Sequence, residues 1–202
     1  MTEPADRRIL FAGDSFVAGV GDPTGLGWVG RVVAACHAAG RPLTAYNLGV
    51  RGDTSAQVAA RWAVEARARM AAADASYGIV FALGTNDATH EHGRARVEPT
   101  RSVGTLGRMI AAACTAGLDV FVVGPPPAGE RAQDDRVCLL SRRFAELASA
   151  RGVPFVETAA VLRATRAWTA EAAAGDGAHP GAAGYAVLAS IVLGGGFLDW
   201  LR

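Results

Sequence analysis

Residues 77–87 read YGIVFALGTND, an apolar run that ends in a turn of glycine and polar side chains. The run Tyr77–Leu83 is apolar throughout, which is typical of a strand covered on both faces, as central strands of parallel sheets are. Ligands of open α/β sheets bind beyond the carboxyl ends of the strands. The residues Gly84–Asp87 are therefore expected where a ligand can bind.

Short apolar runs of this kind alternate along the chain with longer segments of helical periodicity. The predicted strands are Ile9–Ala12, Leu43–Tyr46, Tyr77–Leu83, Asp119–Val123 and Pro154–Val156. The predicted helices are Trp28–Ala39, Thr54 or Ser55 to about Ala73, Pro99 to Gly117, about Asp134 to Arg151, about Ala160 to Ala174, and Ala182–Leu193. Strands separated by helices predict parallel β-α-β units and a three-layer α/β/α sandwich. A length of 202 residues predicts a single domain over residues 1–202.

The composition argues against several classes of function. All 20 basic residues are arginine, whereas Schiff-base chemistry and the Walker A phosphate loop need a lysine. The net charge is +1 and the arginines are scattered, so we expect no binding to nucleic acid or to an anionic membrane. The expected partner is a small-molecule substrate, and the oligomeric state stays open.

The cysteines and the apolar pattern favour a cytoplasmic location. Cys36, Cys114 and Cys138 are odd in number and lie far apart in apolar helical surroundings, which predicts buried free thiols. Residues 1–8 are polar and charged and lack the apolar core of a signal peptide. No later stretch is expected to approach 18 uninterrupted apolar residues, so no membrane span is predicted.

Four polar segments are expected to meet at the carboxyl edge of the sheet. They are Gly13–Phe16 after the first strand, Asn47–Thr54 after the second, Gly84–Asp87 after the third, and Asp176–Pro180 near the C-terminus. A serine hydroxyl needs a base to become a nucleophile, and a histidine base needs an acceptor that fixes its tautomer. Ser15, His179 and Asp176 supply these three groups and are the predicted catalytic residues.

Attack of a nucleophile on an acyl carbonyl creates an oxyanion, which needs hydrogen-bond donors that are already in place. The predicted donors are the backbone N–H groups of Ser15 and Gly52 and the side-chain amide of Asn86. A glycine at position 52 lets the backbone come close to a substrate. A metal site is not expected, because the pair His90 and His92 with Glu91 has no evident further ligand.

The four segments resemble the sequence blocks of the SGNH hydrolase superfamily, also called GDSL lipases and esterases. Ser15 in GDS, Gly52 in N-x-G-x-x-G, Asn86 in GTND and His179 in D-x-x-H-P match the four residues of the family name, in order, within residues 13–181. Phe16 replaces the leucine or isoleucine that often ends the first block, and it is apolar as they are. The resemblance implies a flavodoxin-like sheet of five parallel strands in the order 2-1-3-4-5, and hydrolysis of esters or thioesters without a cofactor.

Other residues in these segments have simpler interpretations. Asp14, Asp53 and Asp87 are expected to order their loops by hydrogen bonds, and the resemblance supports Asp176 rather than these as the acid. The candidates for lining the substrate site are Phe16, Asp87 and His90. The loop of residues 88–98, which carries His90, is either a solvated loop or a wall that faces the substrate.

The expected activity is hydrolysis of small or short-chain carboxylic esters through an acyl-enzyme on Ser15. Lysophospholipase, thioesterase and acyltransferase activities are alternatives that use the same three residues. A non-catalytic module that binds an anion at the Gly13–Ser15 turn is an alternative of another class. Such a module would have no need of His179 and Asp176.

Overall fold

Parallel strands form the sheet at the centre of the protein. The computed structural model describes residues 6–72 and 74–201, and in them the strands are β1 (Arg7–Gly13), β2 (Thr44–Gly49), β3 (Ser76–Ala82), β4 (His90–Glu91), β5 (Arg94–Ala95), β6 (Asp119–Val123) and β7 (Phe155–Val156). The order across the five-stranded sheet is β2-β1-β3-β6-β7, with every pairing parallel. This confirms the predicted flavodoxin-like order. The strands β4 and β5 form a separate antiparallel hairpin.

Helices cover both faces of this sheet. They are α1 (Ser15–Ala18), α2 (Gly27–Ala38), α3 (Ser55–Arg67), α4 (Pro99–Thr115), α5 (Arg131–Ala150), α6 (Ala159–Arg163), α7 (Arg166–Ala174), α8 (Ala182–Val192) and α9 (Leu198–Trp200). Residues of α2 and α8 share one core cluster, and residues of α3, α4 and α5 share the other. The predicted three-layer α/β/α sandwich is therefore confirmed.

The first strand shows why the strand sequences are apolar without interruption. Ile9 and Phe11 enter the core cluster beneath α2 and α8, whereas Leu10 and Ala12 enter the cluster beneath α3 and α4. All four residues are fully buried. Because successive side chains of a strand point to opposite faces, a strand between two helical layers needs apolar residues at every position.

Two predicted helices differ from those in the structure. The helix predicted to reach about Ala73 ends at Arg67, and Ala73 itself lies outside the described residues. The backbone of Ala72 is hydrogen-bonded instead to the hydroxyl of Tyr77, which satisfies its N–H and C=O outside a helix. The predicted helix Ala160–Ala174 is divided into α6 and α7, because Thr165 has an extended backbone.

The prediction that all three cysteines are buried is confirmed for Cys36 and wrong for Cys114. Cys36 is buried, Cys138 is half-buried and Cys114 is exposed, and all three are free thiols. Cys114 follows the buried Ala113, which belongs to the inward face of α4. One step along a helix turns the side chain by about 100°, which takes Cys114 away from the core.

The C-terminal segment is the part of the chain that bears on the expectation about long apolar stretches, and Ser190 and Asp199 interrupt it. By length and composition, Ala182–Trp200 is apolar enough to cross a membrane. Its apolar character also has an explanation within the fold, since Leu188 and Val192 are buried in the core. Trp200 docks the end of the chain, with its ring 5.3 Å from that of Phe121 and beneath the guanidinium of Arg7.

Glycines at two strand ends let the short helix α1 lie directly on the sheet. A Cβ atom on Gly49 would lie 2.2 Å from the backbone nitrogen of Ala18, and one on Gly13 would lie 2.5 Å from Cγ2 of Val17, which belongs to α1. Real Cβ atoms do not approach other atoms this closely. Both glycines are therefore required for the position of α1, whose first residue is Ser15.

The close approach at Gly49 predicts a steric effect on stability. We expect Gly49→Ala to lower the free energy of unfolding by about 2–3 kcal/mol, because the backbone of α1 must move. Gly104→Ala is the matched control, since a Cβ there would meet only the end of the Arg108 side chain and should stabilise α4 by about 0.5–1 kcal/mol. Urea denaturation measures both, and equal effects of the two variants would contradict the packing described for α1.

Candidate active site

Ser15 lies where the central strand β1 turns into α1. Asp14 is the N-cap of this helix and accepts a hydrogen bond from the Phe16 N–H at 3.0 Å. Ser15 is the first helical residue and is almost completely buried. N–H groups in the first turn of a helix have no acceptor within the helix. The backbone N–H of Ser15 is thus suited to donate to a ligand beside its own hydroxyl.

The three predicted catalytic residues form one chain of hydrogen bonds. His179 Nε2 lies 2.7 Å from Ser15 Oγ, and His179 Nδ1 lies 2.7 Å from Asp176 Oδ2. A carboxylate can only accept, so Nδ1 carries a hydrogen and Nε2 is left free to accept the serine proton. The structure brings together residues that are 164 positions apart in the sequence.

Asp176 is held in its charged form by the turn that carries it. Its Oδ1 accepts from the backbone N–H groups of His179 at 2.8 Å and Ala178 at 3.0 Å. Partial burial disfavours the charge, but these N–H groups and the His179 ring more than offset burial, so the pKa of Asp176 lies well below its ordinary value. The aspartate is therefore negative at neutral pH and can stabilise a protonated His179.

The His179 ring is positioned by an aromatic contact as well as by Asp176. The ring of Phe16 lies 4.8 Å from that of His179 and 5.8 Å from that of Trp168. Trp168 is anchored in turn by its indole N–H, which donates to the carbonyl of Pro127 at 3.1 Å. Phe16 therefore packs against the predicted base.

Gly21 is a residue of the site that the sequence analysis missed. Its φ is +89°, and a Cβ atom on it would lie 2.7 Å from the carbonyl oxygen of Pro180 and 3.0 Å from the Cβ of His179. The loop after α1 can therefore approach the histidine loop only with glycine at this position. A glycine among 25 in the chain gives no local signal of such a contact.

The predicted oxyanion donors lie in segments that the structure brings next to Ser15. Gly52 has a left-handed backbone with φ of +78°, which favours glycine. The side-chain Nδ2 of Asn86 donates to the carbonyl of Asp53 at 3.0 Å and to Asp14 Oδ2 at 3.3 Å. Asn86 thus connects the segment of Ser15 with the segment of Gly52.

The aspartates near the site order its loops, as expected. Asp53 accepts from Arg61 Nε at 2.7 Å, and Arg61 also donates to the carbonyl of Gly13 at 2.8 Å. Asp87 Oδ1 accepts from the backbone N–H of Ser55 at 2.7 Å. These contacts fix the three strand-end segments to one another.

Asp14 differs from the other two because it is fully buried. Its carboxylate accepts hydrogen bonds from the Phe16 N–H and the Asn86 amide, and neither donor is charged. Burial, together with the like charges of Asp87 and Asp53, raises the pKa of Asp14 to about 7, against the smaller opposing effect of the N–H donors. Its charge at neutral pH is thus costly to the folded protein.

The three candidates for lining the substrate site have different positions. Phe16 and Asp87 are buried, so little of either side chain is exposed to a substrate. His90 is exposed on the β4–β5 hairpin and lines a cavity of about 380 Å³ between this hairpin and α5. Ser15, Asp176 and His179 are not among the residues that line this cavity. Among the described residues, no group of three or more potential metal-binding side chains is found.

Comparisons with known proteins agree with this architecture. Residues 11–187 match the model of the GDSL-like lipase/acylhydrolase family. A lipase/acylhydrolase from Enterococcus faecalis is 24% identical over 93% of each chain, with a TM-score of 0.75. Axe2, an acetylxylan esterase from Geobacillus stearothermophilus, is 22% identical over 100% of this chain and 99% of its own, with a TM-score of 0.76. None of the curated proteins gives a significant match.

Catalytic mutants of Axe2 are also among the similar structures. In them a serine, an aspartate or a histidine of that esterase is replaced by alanine. The histidine mutant is 21% identical to this chain over 100% of this chain and 99% of its own, with a TM-score of 0.78. At these identities the structural matches establish the fold.

The buried carboxyl of Asp14 predicts a specific pH dependence of stability. Its pKa is raised from 3.8 to about 7 on folding, so between these values the folded state holds the proton that the unfolded state has lost, and stability falls as pH rises. Asp14→Asn removes this loss. The measured quantity is the free energy of unfolding of the variant minus that of the parent, obtained by urea denaturation at each pH. We expect this difference to increase by roughly 2–4 kcal/mol from pH 4 to pH 8.

Asp22→Asn is the control of opposite sign. Burial opposes the charge of Asp22, but Arg31 and nearby N–H groups outweigh it and lower the pKa of Asp22 to about 2. Asp22 therefore stabilises the fold above its unfolded pKa, and this stabilisation is lost as pH falls toward 2. An Asp14→Asn difference that is equal at pH 4 and pH 8 would show that Asp14 is not buried as described.

Proposed function

The chain belongs to the GDSL-like lipase/acylhydrolase family and is a carboxylic ester hydrolase, and we propose that it cleaves small or short-chain esters through an acyl-enzyme on Ser15. The observation that carries this proposal is the hydrogen-bonded chain from Ser15 Oγ through His179 to Asp176. An anion-binding module, the alternative of another class, has no use for a base that is oriented in this way.

The proposed reaction has two halves. His179 Nε2 takes the proton of Ser15 while the hydroxyl oxygen attacks the ester carbonyl, and Asp176 stabilises the imidazolium that forms. The histidine then gives the proton to the leaving alcohol, which departs and leaves the acyl group on Ser15. A water molecule that transfers its proton to the same histidine attacks the acyl-enzyme, and the acid leaves with Ser15 restored.

The proposed oxyanion hole consists of the backbone N–H groups of Ser15 and Gly52 and the side-chain amide of Asn86. The Asn86 amide lies between Asp14 and the carbonyl of Asp53, each adjacent to one of the backbone donors. Three donors from three strand ends can therefore converge on one oxygen. Such donors act on the charge that develops in the transition state, and each one commonly contributes about 10²–10³ in kcat.

Two observations favour a small acyl group. The described residues form one sandwich, and the segments at its carboxyl edge, such as residues 50–54 and 84–89, are short. The similar acetylxylan esterase is named for the removal of acetyl groups, which are the smallest acyl groups of common esters. Lysophospholipase, thioesterase and acyltransferase activities would use the same triad, and they differ in the acyl group or in its acceptor.

Removal of the proposed nucleophile or of one oxyanion donor should have different effects. We expect Ser15→Ala to abolish turnover of p-nitrophenyl acetate and labelling by a fluorophosphonate probe, because both require the serine oxygen. We expect Asn86→Ala to lower kcat by roughly 10²–10³ and to leave a protein that the probe still labels slowly.

Controls for these variants lie on the protein surface. Ser190→Ala changes an exposed serine of α8, and His92→Ala changes an exposed hairpin histidine. Both variants should keep the parental rate and labelling. Full turnover by Ser15→Ala would exclude the proposed nucleophile, and labelling that persists in it would assign the reactive serine elsewhere.

Acyl-chain length is the second test of the proposal. We expect kcat/KM across p-nitrophenyl esters to be highest for acetate or butyrate and to fall for decanoate and longer chains, because the short loops offer little surface to an alkyl chain. A maximum at long chains would favour a lysophospholipase or thioesterase. Product analysis with added alcohol acceptors distinguishes hydrolysis from acyl transfer.

A further inference from the structure

Both hydrogens on the side-chain nitrogen of Asn86 are directed to acceptors within the protein. A primary amide nitrogen carries two hydrogens, and Nδ2 of Asn86 has two acceptors, the carbonyl of Asp53 at 3.0 Å and Asp14 Oδ2 at 3.3 Å. These acceptors lie next to Gly52 and Ser15, whose backbone N–H groups are the other proposed oxyanion donors. The nitrogen of Asn86 therefore lies between the two segments that must cooperate on one oxygen.

The orientation of an asparagine side chain is decided by its neighbours. The amide has nearly the same shape after a half turn, which exchanges its oxygen for its nitrogen. In the exchanged orientation the Asn86 oxygen would face the Asp53 carbonyl and the Asp14 carboxylate, and it would repel an oxyanion instead of binding it. The Asp53 carbonyl and an ionised Asp14 carboxylate accept hydrogen bonds and cannot donate, so both exclude this orientation. The pKa of about 7 leaves part of Asp14 ionised at neutral pH.

Asp14 is an unusual choice for a residue that only caps a helix. Serine, threonine and asparagine cap helices about as well as aspartate, and none of them buries a charge. Asp14 is 1% exposed, and its side chain accepts hydrogen bonds from the uncharged Phe16 N–H and Asn86 amide. Burying a carboxylate without an opposite charge lowers stability, so a gain in activity is a reason for keeping it.

We propose that Asp14 is a positioning residue, whose carboxylate acts with the Asp53 carbonyl to hold the Asn86 amide with its nitrogen toward the proposed oxyanion hole. This inference rests on the proposed function, since it assigns a role through the proposed oxyanion donor. The contact of 3.3 Å is long for a bond to a charged acceptor. One hydrogen can therefore be shared with a substrate oxygen as negative charge develops there.

A double-mutant cycle tests whether Asp14 acts through Asn86. Asp14→Ser keeps a helix cap, because a serine oxygen can accept from the Phe16 N–H, but it removes the carboxylate beside Asn86. We expect it to lower kcat on p-nitrophenyl acetate by roughly 10–100-fold with KM little changed, as for partial loss of one oxyanion donor. In the Asn86→Ala background the same change should lower kcat by less than about 3-fold, because no amide remains to be oriented.

Asp14→Asn is the second variant, for the case in which Asp14→Ser does not fold. It preserves the shape of the side chain and the acceptor for the Phe16 N–H, but it places an amide nitrogen against Nδ2 of Asn86. We expect the same loss of kcat and the same absence of a further loss with Asn86→Ala. We also expect this variant to be less active than the parent at a pH where it is more stable, which a purely structural role for Asp14 does not produce.

Asp134→Ser is the matched control. Asp134 is also buried, and its carboxylate accepts a hydrogen bond from a backbone N–H, that of Ala128, at 2.8 Å. The effect of Asp134→Ser on kcat should be the same factor with and without Asn86. If the Asp14 variants lower kcat by equal factors in both backgrounds, or do not lower it, the positioning role is overturned while the oxyanion hole stands. If Asn86→Ala keeps the parental kcat, the proposed oxyanion hole fails and the role of Asp14 with it.

Discussion

The hydrogen bond between Ser15 and His179 depends on the whole fold, because it joins the start of α1 to the loop that precedes α8. Each end is held by a close contact that tolerates little change. At one end, glycines at positions 13 and 49 let α1 lie on the strand ends. At the other end, Gly21 lets the chain after α1 pass beside His179. The distance of 2.7 Å between the two side chains is set by these backbone contacts.

Two aspartates near this bond show how surroundings set the charge of a carboxyl group. Asp176 is surrounded by donors from its own turn and stays ionised, which suits a partner for a histidine that becomes positive. Asp14 is fully buried between other acidic residues, and its pKa is raised to about 7. The same side chain thus stabilises the fold in one position and weakens it in the other. The stability lost at Asp14 is offset elsewhere, in the apolar core on both faces of the sheet.

Several features could not be predicted from local sequence patterns. The exposure of Cys114 depends on which face of α4 meets the sheet. The early end of α3 depends on the Tyr77 hydroxyl, which binds the backbone of Ala72 from the next strand. His90 lies on a hairpin whose strands are two residues each, too short to give a periodic signal.

Local sequence patterns were enough to predict the order of strands and helices, the four polar segments of the site, and the family. Alternation and helical periodicity are local properties, and a parallel sheet brings strand ends to one edge, so Ser15, Gly52, Asn86 and His179 could be named from pattern and resemblance. The tertiary structure decided which nitrogen of His179 faces Ser15, how deeply Asp14 is buried and which way the Asn86 amide is turned. These depend on hydrogen bonds and burial among residues far apart in the chain, which form only when the layers pack.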